Sequence, residues 1–492
     1  MSTTSLAVQP LPVHARSGCG TLESPWTGWE DQLEAPSASG PVEFTFEAGC
    51  WGVSRPIRLH GGTVLRPDPT GTGRPWFLPL EEMDAIFRID GAHLVTLTGL
   101  CFHGRGGKSR HGLFVRAGTR LQVDGCRFGD FAHPDGAALR ICGESEDRYV
   151  RGVVIQSCHF VNGTVGVRLD SHLSDLLVTD NRFDEFRGPC VQVDPHDHWV
   201  DYGLIFVKNR VTASGKDRVG PMFLVGPGAE GIRIADNDLS GPDSSDAPAQ
   251  EEWSAIEVRG GGPRSRRRVE VLSNRLVGVA GPAVSARQCG PGFLLAGNHI
   301  TACGTAESAA LELTACHGVL VEDNEIEEPI GAAIRTVDCA VSRVNANEIR
   351  GLAESNSPRG GAGGVVVKGR GTRRLRITDN RISGLRAPGV LVERGTGIRV
   401  VGNEVHDCGE GIRVSGGRNL LVVGNDCRDN GGGGIRVDEP VIRGLVALNY
   451  AILNGPVDLE VLGQRISCDR NKVDQAGTIP GESPLDRSAD MV

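Results

Sequence analysis

A solenoid of stacked β-coils is the fold class this sequence predicts, and two observations carry the prediction. The first is a phrase that returns thirteen times between Cys126 and Asn449: apolar, two variable residues, usually asparagine, one variable residue, apolar. The second is its spacing, on average about 27 residues, inside the range where a repeat means one unit stacked on the next. The polar column runs through Cys126, Cys158, Asn181, Asn209, Asn237, Asn274, Asn298, Asn324, Asn347, Asn380, Asn403, Asn425 and Asn449. Apolar residues precede it (Val123, Ile155, Val178 and onward) and follow it (Phe128, Phe160, Phe183 and onward). Apolar columns fill the bore of such a stack. An asparagine amide has donors and an acceptor, enough to bond the coils on both sides.

Taken in order, residues 1–40 are expected to cap the open N-terminal end, which otherwise exposes apolar surface and strand edges. From Pro41 to Gly99 the first coils show apolar alternation at Phe44, Phe46, Ile57, Leu59, Val64 and Leu65. After each polar corner comes a second short strand, such as Val167 to Asp170, Val191 to Asp194, Ile334 to Val337 or Ile412 to Ser415. Period-2 alternation turns Val167 and Leu169 inward and Arg168 and Asp170 outward, so one face is a sheet with a polar exterior. The solenoid is expected over residues 41–465, followed by a polar tail, 466–492. Three coils are long, with their extra residues at Gly143 to Gly152, Gly241 to Trp253 and Gly351 to Gly364. Insertions of this kind often wall a binding groove, and the first two are expected to flank Asp194.

Composition narrows the function. A net charge of −9 with both signs interspersed argues against a nucleic-acid partner; the longest basic run, Arg264 to Arg268, reads as a solvated loop. No stretch is long and apolar enough to span a membrane, so no membrane partner is expected. The 14 cysteines show no paired zinc spacing, and no metal or cofactor is expected. Cys126 and Cys158 replace ladder asparagines and Cys427 sits in an apolar column, which suits buried, reduced thiols. With no recognisable secretory signal at the N-terminus, the expected location is the cytoplasm.

One corner breaks the pattern. Between Val193 and Leu204 lie Asp194, Pro195, His196, Asp197, His198, Trp199, Val200, Asp201, Tyr202 and Gly203, the densest group of titratable side chains in the chain. Pro195 ends the strand and fixes the turn. A histidine beside a carboxylate forms an acid–base pair. By coil stacking, Arg168 should lie one coil from Gln192 and Asp170 one coil from Asp194, about 4.8 Å away. An arginine there would hold a substrate carboxylate, and two facing aspartates would repel, so that one keeps its proton. His103, Arg105, Lys108 and His111 read as a surface loop. Arg335, Lys368, Arg413 and Arg436 read as a cationic track on the outward face.

The ladder resembles the right-handed parallel β-helix superfamily of pectate lyases, polygalacturonases and alginate epimerases, over roughly residues 40–465. The tetrapeptide Asp194-Pro195-His196-Asp197 resembles the DPHD motif of mannuronan C5-epimerases. That resemblance implies catalytic roles for Asp194 and His196. The family's tyrosine position is Val191 here, and its lysine has no counterpart; Arg168 is the nearest cation.

The expected function is isomerase or lyase chemistry on a saccharide or small molecule bearing a carboxylate. His196, Asp194, Tyr202 and Asp197 are the catalytic candidates. Arg168, Asp170, Gln192, His198 and Trp199 are the binding candidates. Three other readings stay open: a tailoring enzyme for an intracellular natural product, a glycoside hydrolase using stacked aspartates, and a binding solenoid without catalysis.

Overall fold

Each coil bends at a fixed corner, and one backbone angle explains why the polar column follows it. The residue before the ladder position has a positive φ: Asp180 (55°), Asp236 (55°), Ser273 (52°) and Asp323 (55°), with glycine at Gly402 and Gly424. Left-handed backbone turns the chain sharply, and aspartate and glycine adopt it at low cost. The asparagine that follows is buried. The structure, a computed structural model, describes residues 7–10, 20–34, 41–194, 202–213, 218, 220–242, 253–262, 268–352 and 363–477. The chain divides into two compact units, Met1–Pro242 and Asp243–Val492.

In the first unit a coil supplies three strands, for example Val167–Leu169, Leu173–Thr179 and Arg182–Asp184. Each pairs in parallel with its equivalents in neighbouring coils: Leu139, Val167 and Val191 are in register, as are Val153, Leu176 and Leu204. This is a parallel β-helix, all-β as the repeat predicts. Because adjacent strands lie about 4.8 Å apart, like residues stack. Phe102, Phe128, Phe160 and Phe183 form one such pile, with ring centroids 4.8, 5.0 and 4.7 Å apart and nearly parallel planes.

Residues 20–34 pack against the first coils. The helix Glu30–Glu34 buries Leu33, while Trp29 packs against Phe46, Trp51 and Phe77 at 5.8, 5.5 and 5.6 Å. Trp29 Nε1 donates to the Gly52 carbonyl (3.0 Å), so the buried indole leaves no orphan donor. Buried Glu30 accepts from both the amide and the hydroxyl of Ser54.

The amide ladder works as the sequence implies. In the second unit it joins Asn274, Asn298, Asn324, Asn347, Asn380, Asn403, Asn425, Asn449 and Asn471. Asn324 is typical: Nδ2 lies 3.0 Å from the carbonyls of Leu295 and Glu322 and 2.9 Å from Asn347 Oδ1. Its own Oδ1 accepts from the Asn298 amide. In the first unit Asn181, Asn209 and Asn237 form a ladder that meets Cys158, whose main-chain N–H donates to Asn181 Oδ1. The Cys126 and Cys158 sulfurs reach equivalent carbonyls, Leu97 and Asp124 for one, Val123 and Gln156 for the other. That is why a thiol can stand in the column. The thirteen cysteines among the described residues are free thiols.

Two features lay beyond the repeat read from sequence. A second ladder runs from the Cys408 amide through Asn430 and Asn454 to Asp458, an acceptor-only group suited to ending a run of N–H donors. The coils also continue past residue 465: Gln464–Asp469 and Lys472–Val473 pair with Val441–Ala447 and Tyr450–Ile452, with Asn471 as the corner. The tail looked polar because its outward residues dominate so short a stretch.

Candidate functional site

On the outward-facing sheet of the first unit, one column reads Arg58, Arg88, Phe114, Arg140, Arg168, Gln192, Leu224 in register. Alternation produces it: Leu139, Ile141, Val167 and Leu169 are buried, so the residues between them face outward. The expected neighbours are correct, since Arg168 pairs with Gln192. Asp170 donates its N–H to the Ile141 carbonyl and Asp194 to that of Leu169, each at 2.9 Å, so the two aspartates hold equivalent corners of successive coils.

Their side chains do not form the repelling pair expected from stacking. The Asp170 carboxylate is fully buried, with Oδ2 accepting from Arg140 Nε (2.8 Å) and Oδ1 from Arg168 Nε (3.0 Å). A carboxylate shared by two guanidinium groups is compensated rather than opposed. Asp170 therefore reaches a ligand only through the arginines it holds. Each arginine spends its Nε on Asp170; among the described residues neither side chain makes another hydrogen bond, which leaves the Nη groups of both at a partly exposed surface. Phe114 stands one coil before Arg140, with the Arg140 guanidinium 5.1 Å and that of Arg88 5.7 Å from its ring centre. Asp194 is half-buried, and its carboxylate has no hydrogen-bond partner among the described residues. The result is an arginine pair with a net positive charge and, one coil away, the Asp194 carboxylate. This arrangement can bind an anion in bidentate fashion.

Sequence reasoning missed Arg140, because its role appears only when Asp170 is seen to bridge adjacent coils. It also misjudged His111. Rather than a loop residue, His111 lies in the strand Ser109–Asp124 with 1% exposure, its ring 5.4 Å from Phe114. Its Nδ1 sits 3.1 Å from the Ala137 nitrogen and 3.0 Å from the Ala137 oxygen, while Nε2 is buried without a partner. Burial, with a contribution from the Arg140 charge, pushes its pKa down to about 4. His103 closes the strand Cys101–His103, and burial lowers its pKa as well.

His196, Asp197, His198 and Trp199 lie outside the described residues. Tyr202 begins the strand Tyr202–Val207, where it pairs with Ser174. The insertion from Gly143 to Gly152 leaves the end of the strand that carries Arg140; Glu144 pairs with Arg116 and with Arg148, and the Gly143 amide donates to the Ser171 carbonyl. The other two insertions fall mostly outside the described residues, and with them the expectation that two loops flank Asp194.

The cationic track expected in the second unit is neutralised. Arg335 faces Glu312 (3.7 Å) and Lys368 pairs with Glu393 (3.1 Å). Arg413 and Arg436 share Asp438 at 3.2 and 2.7 Å. Lys368 also stands in a different column, in register with Val337.

A family model described as a right-handed β-helix region matches residues 353–455. No curated protein matches the chain by sequence. Among solved structures the chain is similar to the periplasmic alginate epimerase AlgG, at 12% identity over 82% of this chain and 77% of that one (TM-score 0.33). It is similar to an exopolygalacturonase from Thermotoga maritima at 9% identity, covering 84% and 91% of the two chains (TM-score 0.37). Pre-mature gene product 12 of bacteriophage phi29 shares 12% identity over 95% and 73% (TM-score 0.46). At these identities the likeness concerns the fold alone. The chain is a right-handed parallel β-helix.

Proposed function

We propose that this protein is an isomerase or lyase acting on a saccharide that carries a carboxylate, with C5-epimerase-like chemistry as the leading form. One observation carries the reading: the buried Asp170 holds Arg140 and Arg168 side by side and leaves their Nη groups for a ligand. Two fixed guanidinium groups match the planar fork of a uronate carboxylate. They also stabilise the charge that gathers on that carboxylate when the neighbouring carbon loses its proton.

His196 takes the C5 proton and Asp194 supports it; these roles rest on the sequence motif and on the position of Asp194 one coil from the Asp170 corner. The electron pair released from the C–H bond moves into the carboxylate. Return of a proton to the opposite face inverts C5, with Tyr202 the candidate donor, whereas expulsion of the glycosidic oxygen at C4 gives an unsaturated product. A small-molecule tailoring enzyme would use the same groups on a smaller acid. The paired-aspartate hydrolase gains nothing from this geometry, because Asp170 is enclosed and fully engaged with arginine.

The test is incubation with polymannuronate and polygalacturonate in deuterated water, read by NMR. Deuterium at C5 supports epimerisation and unsaturated ends support elimination. New reducing ends without either signal would replace this reading with hydrolysis, and no change on any acidic saccharide would leave a binding solenoid.

A further inference from the structure

A second arginine array stands in the other unit. Arg343, Arg376 and Arg399 occupy one outward column in three successive coils, in register, with Leu320 before them and Leu421 after. Beside it a parallel-bridge column carries Arg373, Thr396 and Arg418, and Arg374 lies between the two. All six arginines are exposed, and among the described residues none makes a side-chain hydrogen bond or ion pair. In the same three coils the outward column on the other flank, Asn345, Thr378 and Val401, carries no charge; Glu322 stands in it one coil earlier and forms no ion pair with Arg343.

Like charges directly opposite on paired strands destabilise a sheet. This protein answers that cost at several other arginine stacks, although Arg58 and Arg88, also in register, form no ion pair among the described residues. Asp170 bridges Arg140 and Arg168, and Asp438 bridges Arg413 and Arg436. On a neighbouring face Arg381 stands opposite Glu404 (2.9 Å), and Arg350 reaches Glu325 and Glu348. At Arg343, Arg376 and Arg399 no carboxylate is supplied by the described residues. The missing counter-charge is the observation to explain.

We infer that this column binds a linear acidic polysaccharide across successive coils, the ligand's carboxylates providing the counter-charge. One guanidinium fork recurs every coil, about 4.8 Å along the stack. That suits an extended chain with an anionic group on each sugar unit. A single-stranded nucleic acid fits less well, because such sites interleave aromatic side chains for base stacking, whereas the coils that carry these arginines place no ring in either column and His317 stands two coils before Arg373. Only the chemical class of ligand is shared with the proposed function; these arginines belong to the second unit, and Arg140 and Arg168 to the first.

The experiment measures binding of the full chain to labelled oligomers of polygalacturonate and polymannuronate. Fully methyl-esterified polygalacturonate and a single-stranded DNA oligomer serve as comparisons. The acidic oligomers should bind, more weakly as salt rises, and the esterified one should not. Replacing all three by glutamine (Arg343→Gln, Arg376→Gln, Arg399→Gln) should weaken binding at least about tenfold, since three charge-assisted contacts are lost. Its melting temperature should equal or exceed the parent's, because like-charge repulsion is relieved. The triple lysine variant, which keeps charge but loses the fork, should fall between. No binding of either acidic oligomer, undiminished binding by the glutamine variant, or tighter binding of DNA would each overturn the inference. Because the readout is binding, it stands or falls independently of deuterium exchange at the other site.

Discussion

Arg168 and Asp170 lie two residues apart at the end of one strand, and their side chains meet at 3.0 Å through Nε and Oδ1. Arg140, one coil earlier, takes the other carboxylate oxygen at 2.8 Å. The bridge converts two like charges that would repel across adjacent strands into a fixed pair of anion-binding groups.

Asp170→Asn should therefore be costly although Asp170 touches no solvent. Removing one partner of a buried ion pair typically costs 3–5 kcal/mol, and the partial exposure of the arginines suggests about 3 kcal/mol here. Urea denaturation would show the loss as a lower midpoint. An unchanged midpoint would mean that the bridge is incidental.

Arg168→Lys keeps the charge but loses both the Nε bond and the planar fork. On an active substrate KM should rise about tenfold while kcat changes much less, the signature of lost ground-state binding. A fall confined to kcat would assign Arg168 to the chemical step instead.

His196→Gln retains hydrogen-bonding capacity but cannot titrate. Solvent-deuterium exchange at C5 should drop by about 10² to 10⁴-fold, the usual contribution of a general acid or base. Circular dichroism should be unchanged. Asp194→Asn should lose a comparable factor and His198→Gln less. Full exchange by His196→Gln would make the tetrapeptide resemblance accidental.

Asn324→Val should strand several buried polar groups, each worth about 1–3 kcal/mol, and lower stability by about 3 kcal/mol or more. Asn324→Cys should cost less, since the sulfurs of Cys126 and Cys158 reach the corresponding carbonyls at their own corners. Equal losses in thermal melts would deny that a thiol can serve the ladder.

His111 gives a pH dependence with a definite sign. Its pKa is about 4 in the fold against 6.5 for an ordinary histidine: burial lowers it most, the Ala137 backbone raises it, and the charges of Arg140 and Arg168 lower it against that of Asp84. Above pH 6.5 it is neutral in both states and costs nothing. As pH falls from 6.5 towards 4 the unfolded chain gains a proton that the folded one refuses, so stability declines by about 3 kcal/mol in total and then levels off. His111→Gln should flatten that part of the stability profile. An unchanged slope in the variant would point to other groups.

The sequence by itself determined the β-helix, because every coil repeats the same local problem. An apolar residue must fill the bore, and an amide must satisfy its neighbours at the corner, so the solution is written at nearly every thirtieth position or closer. It also determined which side chains face outward and which stand in adjacent coils, since register follows once the repeat is aligned; the Arg168 and Gln192 pairing is the direct instance. What only the tertiary structure decided is what outward side chains do to one another. Asp170 and Asp194 occupy equivalent corners, yet one is enclosed between two arginines and the other has no hydrogen-bond partner among the described residues. Arg436 is answered by Asp438 and Glu460, whereas Arg376 is answered by no described residue. Such outcomes depend on rotamers and on distances across strands, which a repeat does not encode. His111 makes the same point: its burial follows from the packing of its strand, not from the polar residues beside it in the chain.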